Sequence, residues 1–553
     1  MSRATSNPDK GLVLAPLGGV GEIGMNLYAY GCDGKWLIVD CGIIFQDDHA
    51  PGVEVLMPDP AFLAERRDAI VGMILTHAHE DHIGAVAHLW SAFGCPIHAT
   101  PFTLAMLEGK LKETGIEPEI HSVALDGTVV CGPFSVRFVA LTHSIPEPSA
   151  LAITTPYGTI VHSGDWKMDP SPILGQAVQE DVLRAIGDAG VLAVVGDSTN
   201  AQVKGQAGSE QSVREALVRE ISACKGRVAV GCFASNAARV ESVVAAAREA
   251  GREVCLLGRS LYRVVEACRV SGNELEIGRL IPDTEAGYIP NDRILFIVTG
   301  SQGEPRAALA RIAANTHPHV NLGAGDTVIF SSRVIPGNER AVLEVQNRLV
   351  ALGVEIVTAR EKPEIHVSGH PAQDELARFY ELLRPQSLIT VHGENLHMEA
   401  HAKLARTVGI QNVIVPLDGV LVRLAPGTPE KVGTVQSGRL ALDGNRLIDR
   451  DSEILRNRRR IMYNGCVVVT MVVGGTGELL RPPSLTAPGL LDLQDEEPTE
   501  LALDAAIEAI RQTPVKGRRQ DEVLQEAVRR AVRRSLLAST GKKPVTCVQI
   551  VRI

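Results

Sequence analysis

Short apolar runs that close on a histidine or an aspartate recur through the first two hundred residues: MILTH (73–77), VRFVALTH (136–143), TIVHSGDW (159–166) and VLAVVGDS (191–198). Runs of this length predict buried strands, and their shared polar ends predict chemistry along one edge of the sheet. Ahead of them, LVLAPLGG (12–19), NLYAYG (26–31) and KWLIVDCG (35–42) read as strands around a glycine turn, and LAMLEGKLKE (104–113) reads as a helix. From 216 to about 358 the pattern becomes strand–helix units, RVAVGCFA then NAARVESVVAAAREA, EVCLLG then RSLYRVVEACRV, ILFIVTG then EPRAALARIA. Units of that kind predict a parallel, helix-flanked layer of their own. Histidine motifs resume at 366 and 392, so this block reads as an insertion into the first domain.

After about 450 the chain turns basic at DSEILRNRRR, continues through the apolar run CVVVTMVVGG, and meets a Pro- and acid-rich stretch at 481–500 that reads as a loop or linker. A helix, the stretch VLQEAVRRAVRRSLLAS and the strand PVTCVQIVRI suggest a small αβ tail domain. The expected organisation is therefore 1–215 and 359–450 as two parts of one domain, 216–358 inserted, and 451–553 as linker and tail. A length of 553 residues accommodates three or four such domains.

Composition narrows the class. Apolar residues at 45% and charged residues at 22% describe a globular chain, which argues against disorder. No apolar run nears the roughly 18 residues that span a bilayer, so no membrane partner is expected. Ten cysteines stand singly without a CxxC pair, which excludes a thiolate zinc finger by spacing and suggests a reducing, cytoplasmic location. Lys+Arg less Asp+Glu is 55 − 65 = −10, a balance that disfavours whole-surface adhesion to nucleic acid and leaves a local basic channel open.

Gly19-Val20-Gly21-Glu22-Ile23-Gly24 matches GxGxxG, but Asn26–Tyr30 alternates like a strand where a dinucleotide fold needs a helix. A glycine-rich hairpin at the sheet edge is the expectation. No GxxxxGK[ST] occurs, so a P-loop is unsupported.

The stretch Thr76-His77-Ala78-His79-Glu80-Asp81-His82 carries the chemistry. Alternation sends His77 and His79 to one side as the strand runs out, so both imidazoles can bind one cation, and Asp81 and His82 turn toward a second position. Imidazole and carboxylate without thiolate suit zinc or manganese. His143, Asp165 and His392 stand at three further strand ends. Together these side chains supply ligands for two metals about 3.5–4 Å apart, the spacing at which paired ions clamp a phosphate.

HxHxDH, then THS, SGD and VHG, resembles the metallo-β-lactamase fold, an αββα sandwich. The inserted block, with Asp197 in GDSTN and the HVSGH motif at 366–370, resembles its β-CASP nuclease branch. FASN (233–236), TGSQGEP (299–305) and IPGNE (335–339) add a likeness to the bacterial ribonuclease J family over essentially the whole chain. The resemblance implies a metallo-β-lactamase sandwich with an inserted parallel αβ (β-CASP) domain and a small C-terminal αβ domain.

It also implies one metal on His77, His79 and His143, a second on Asp81, His82 and His392, and Asp165 bridging. Two Zn2+ are expected, with Mn2+ or Mg2+ as alternatives. Asp40 would orient ligand histidines. His370, raised in pKa by Asp197, would act as general acid, with Asp81 also in the catalytic set. His366, Val367, Ser368, Gly369 and His370 would hold the phosphate of a 5′-monophosphorylated RNA end, joined by Phe233, Ala234 and Ser235, although FASN equally fits a helix cap. A structural calcium would fall on Gly52, Glu54 and Asp443, with Glu54 standing where the family has aspartate.

The implied activity is a two-metal ribonuclease acting 5′→3′ from monophosphorylated ends, with additional endonuclease action, in RNA maturation and decay. A DNA-directed β-CASP nuclease is the alternative. A small-molecule hydrolase of this fold would lack the inserted block, and a metal-free scaffold is hard to reconcile with all seven ligands being present. The family's tail implies a homodimer or tetramer, and an RNA-degradation partner protein is compatible with the reading.

Overall fold

A computed structural model describes residues 10–45, 51–492 and 494–553. The chain forms two compact units, one comprising the chain to Ile44 with Met57–Arg439, the other Phe45–Leu56 with Leu440–Ile553.

The first unit is built on two mixed sheets, of eight and seven strands. Their facing sides share one core, in which Leu14, Tyr28, Leu37, Val39 and Ile74 of one sheet meet Phe138, Leu151, Ile160, Val195 and Ile389 of the other. Helices Glu180–Ala189, Gln373–Leu383 and Asn395–Thr407 cover the outer face of the seven-stranded sheet through Leu183, Phe379, Leu383 and Ala405. Both faces of these strands are therefore buried, which is why they read as continuous apolar runs.

The glycine segment after Leu12–Gly18 links two antiparallel strands and opens no helix, as its sequence indicates. The hairpin lies inside the eight-stranded sheet and not at its edge, because Val420–Ala425 and Glu430–Thr434 pair beyond it.

Val191–Asp197 pairs in parallel with Ser387–Val391, so residues 198–386 leave the sandwich and return between two neighbouring strands. Within that excursion lies a five-stranded, wholly parallel sheet, with Val254, Leu295 and Ile329 facing one helical layer and Phe296, Val298 and Val328 the other. Helix Glu210–Ala223 joins the first of these layers through Val213, Leu217 and Ile221.

In the second unit, Cys466–Val473 pairs in parallel with Val545–Arg552 and antiparallel with Ser484–Thr486. Val467, Val469, Met471 and Val473 point to helices Glu496–Gln512 and Asp521–Thr540. The stretch 481–500, expected as a loop or linker, is loop over most of its described residues and also supplies the edge strand and the acidic first turn of the helix at Glu496.

Candidate metal centre

The HxHxDH segment runs off the strand Ile70–Ile74 into the short helix Glu80–Ile83. It is pinned from behind by Asp40–Ile43: Cys41 N–H donates to the His82 carbonyl at 2.7 Å, and Ile43 N–H to Glu80 at 3.1 Å. Gly42 allows this approach, since a Cβ there would stand 1.6 Å from the Asp81 carbonyl oxygen. Asp40 and His392 both adopt positive φ, at 61° and 49°, a conformation uncommon for residues other than glycine.

All seven ligand-type residues converge. His77 Nε2 and His143 Nε2 lie 3.0 and 3.1 Å from His79 Nδ1, and Asp165 Oδ2 lies 3.8 and 4.0 Å from the first two. On the other side, Asp165 Oδ2 is 3.2 Å from His82 Nε2 and 3.3 Å from His392 Nε2, while Asp81 Oδ2 is 3.5 and 3.7 Å from the same nitrogens. Asp165 is thus common to two ligand groups, His77–His79–His143 and Asp81–His82–His392.

The far nitrogens are occupied, which fixes the tautomers. His82 Nδ1–H donates to Asp40 Oδ2 at 2.7 Å, His77 Nδ1–H to the Thr76 hydroxyl at 3.0 Å, His143 Nδ1–H to the Gly369 carbonyl at 2.5 Å, and His392 Nδ1–H to Asn26 Oδ1 at 2.9 Å. Each ring thereby turns its Nε2 inward, the atom a metal requires. Burial also lowers the pKa of His77 and His143 well below the imidazole range, and that of His79 to about 4. Asp165 Oδ1 and His392 Nε2 are buried with no hydrogen-bond partner. Unpartnered polar atoms and nitrogen lone pairs crowded within 3.1 Å are costly without a cation, so the residues fit a metal pair.

His370 stands beside both groups. Its Nδ1 is 2.8 Å from Asp197 Oδ2 and 3.9 Å from Asp165 Oδ2. Burial pushes its pKa down, but the Asp197 and Asp165 carboxylates outweigh that and raise it to about 9. Both carboxylates thus favour its imidazolium, whose Nδ1 is held by Asp197. In the same segment, Asn200 Nδ2 holds the Ser368 hydroxyl at 2.7 Å and the His370 carbonyl at 3.0 Å.

Two residues were not singled out from the sequence. Asn26 is fully buried; besides His392 its Oδ1 accepts from the Tyr28 hydroxyl at 2.8 Å, and its Nδ2 donates to the Asp81 carbonyl at 3.0 Å. Arg239, also fully buried, clamps Glu210 with two nitrogens and reaches Ser331 at 2.7 Å, the Ile365 carbonyl at 3.4 Å and His366 Nδ1 at 3.5 Å. Asn26 stands two residues after Gly24 of the GxGxxG segment, the one local hint available.

FASN caps a helix: Asn236 accepts from Arg239 N–H at 2.9 Å, and Phe233, Ala234 and Ser235 form the half-buried turn before it. Arg239 on that helix links it to His366, whose neighbour Val367 packs on the parallel-sheet core. TGSQGEP and IPGNE meet through Gln302, which accepts from Ile335 N–H at 2.9 Å.

The positions expected for calcium, Gly52, Glu54 and Asp443, all fall in the second unit. Both Asp443 carboxylate oxygens accept from Arg458, at 2.7 and 2.8 Å, and a Cβ on Gly52 would face the same guanidinium at 3.5 Å. The neighbouring residues 46–50 lie outside the described residues.

Over 99% of its length the chain is 45% identical to a ribonuclease J from Sinorhizobium meliloti, covering 98% of that protein. The chain belongs to the ribonuclease J family. Proteins named ribonuclease J from Mycobacterium tuberculosis (35% identity, 98% of each chain) and Thermus thermophilus (35%, 97% of this chain and 95% of that one) show the same correspondence. Family models match in sequence order: the metallo-beta-lactamase superfamily (24–177), the ribonuclease J beta-CASP domain (225–349), the Zn-dependent metallo-hydrolase RNA specificity domain (353–416) and the ribonuclease J C-terminal domain (453–553). A crystal structure of a protein of unknown function from Enterococcus faecalis V583 shares the fold at 17% identity and a TM-score of 0.52, over 74% of this chain and 99% of that one. As a member of the ribonuclease J family the chain is a metal-dependent ribonuclease. Among the described residues no helix is long and apolar enough to cross a membrane.

Proposed function

We propose that this ribonuclease hydrolyses RNA phosphodiesters 5′→3′ from 5′-monophosphate ends, with additional internal cuts, in RNA maturation and decay. The observation that carries the reading is the position of HVSGH: its Gly369 carbonyl holds a metal ligand and its His370 pairs with Asp197. A strand whose terminal phosphate is held along Ser368 and Gly369 brings its first linkage to the metal pair.

His77, His79 and His143 would hold one ion, Asp81, His82 and His392 the other, with Asp165 shared. Zn2+ suits both positions, and the carboxylate-richer second group also suits Mn2+ or Mg2+. When bound, such a pair supplies Lewis-acid activation of water and neutralises charge on the phosphate. The rest falls to the protein. Nε2–H of His370 donates its proton to the leaving 3′ oxygen, and Asp197 holds the ring by Nδ1 and keeps it charged. Neutral His366, anchored by Arg239, offers a further donor to phosphate without adding charge. Self-association as a homodimer or tetramer, a cytoplasmic location and an RNA-degradation partner belong to the same reading.

The test is a set of matched oligomers: RNA with 5′-monophosphate, triphosphate or hydroxyl ends, and 5′-phosphorylated DNA. Mononucleotides released fastest from the monophosphorylated RNA are expected. Equal rates on all three RNA ends remove the end preference, and faster cutting of DNA favours the DNA-directed alternative.

A further inference from the structure

In the second unit the helix Glu453–Asn464 buries only Leu455. Arg456, Arg459, Arg460 and Tyr463 stand at i, i+3, i+4 and i+7, so they form one stripe along the helix. Arg456 and Arg460 are exposed, and Tyr463 is 65% exposed.

Five other arginines of this unit are paired with carboxylates. Arg446 and Arg458 pair with Asp443, Arg529 and Arg530 share Glu526, and Arg552 pairs with Asp521. Among the described residues Arg456 and Arg459 have no carboxylate partner, and Arg460 reaches only the Asn457 amide oxygen, at 3.5 Å. Lys542 Nζ bonds the Tyr463 carbonyl at 2.9 Å and Lys543 N–H bonds Asn464 Oδ1 at 3.1 Å, which brings two more exposed lysines to the same helix end.

Five cations thus gather on a chain of net charge −10. Like charges at i and i+4, as in Arg456 and Arg460, destabilise a helix, and no internal anion offsets them here. An external polyanion would. Side chains one turn apart are separated by about 6 Å along the axis, a pitch suited to successive backbone phosphates. The exposed phenol ring adds a stacking platform, and cations interleaved with an aromatic are the pattern for sequence-tolerant binding of single strands.

We propose that this stripe is a docking surface for single-stranded RNA, separate in the chain from the metal centre. Phosphates lie along Arg456, Arg459 and Arg460 toward Lys542 and Lys543, and a base stacks on Tyr463. The inference rests on RNA being the substrate.

The test is fluorescence anisotropy on the full-length, metal-loaded protein with a 20-nucleotide single-stranded RNA analogue whose phosphorothioate backbone resists cleavage. In R456Q/R459Q/R460Q, affinity at 100 mM salt is expected to fall at least tenfold. The slope of log K against log salt should shrink by about 2, from three contacts at about 0.7 each. Tyr463→Ala should weaken binding at least fivefold with the slope unchanged. The charge-preserving R456K/R459K/R460K should stay within about threefold of wild type. A glutamine variant that binds with wild-type affinity and slope overturns the surface, as does a lysine variant that loses binding, or an acidic peptide that outcompetes the RNA at equal charge. Wild-type protein that neither binds nor cuts RNA would instead overturn the substrate reading itself.

Discussion

The Gly369 carbonyl lies 2.5 Å from His143 Nδ1, so a segment expected to hold substrate also orients a metal ligand. A Cβ on Gly369 would stand 2.5 Å from His143 Cε1 and 2.6 Å from Nδ1. Gly369→Ala must therefore displace the imidazole. Metal analysis of this variant should show the His77–His79–His143 position weakened, with bound metal falling from two ions toward one per chain. Full occupancy would mean that the loop gives way and the ligand does not.

The second position depends on Asn26 in a comparable manner. Its amide oxygen fixes His392 and its nitrogen holds the Asp81 carbonyl. Loss of such a supporting group typically costs 10–100-fold in metal affinity. For Asn26→Ala, calorimetric titration of metal-stripped protein should show one class of site weakened by that factor and the other unmoved. Equal weakening of both would mean that Asn26 supports the fold at large.

His370→Ala should lower turnover by about 10²–10⁴-fold with metal content unchanged, the range for a lost general acid. In the intact protein burial opposes charge on His370, and Asp197 and Asp165 overcome it, raising the pKa to about 9. The protonated form is the working one, so activity should hold below that pH and decline as pH rises through it. Asp197→Asn removes the nearest carboxylate, and the basic limb of the kcat profile should move more than one unit toward acid. A limb that stays in place assigns it to another group.

Arg239 and Glu210 form an ion pair that is almost fully buried. Truncation at Arg239 strands a carboxylate in the interior and frees the Ser331 and Ile365 carbonyls, a loss of about 3–5 kcal/mol by analogy with other broken buried pairs. Thermal or denaturant unfolding of Arg239→Ala should register it. Arg239→Met, which fills the volume without the charge, leaves the same carboxylate behind and should not restore the loss.

The metal ligands were legible because their signal is local: four ligand-type side chains within six positions, and three others at the ends of apolar runs. Asp40 closing a strand was legible for the same reason. Asn26 was not, since one amide lies 51 residues from His77 in sequence, reaches Asp81 only through strand pairing within one sheet, and reaches His392 only when the second sheet closes over the common core. Arg239 sits on a helix whose apolar residues announce only a core face, and its partners come from three separate segments. In 481–500 proline and acid content concealed a three-residue edge strand, too short to show alternation. The capping role of Asn236, one of two readings the motif allowed, is carried by its side-chain bond to Arg239 N–H.

Asp197 and Val391 are register partners on adjacent strands, yet nearly two hundred residues intervene between them. A ribosome must therefore complete the entire excursion before His392 can join Asp81 and His82. A half-made chain can already carry His77, His79, His143 and Asp165, but the acid at 370 and the last imidazole arrive afterwards. Assembly of the full ligand set is thereby deferred until most of the polypeptide has emerged.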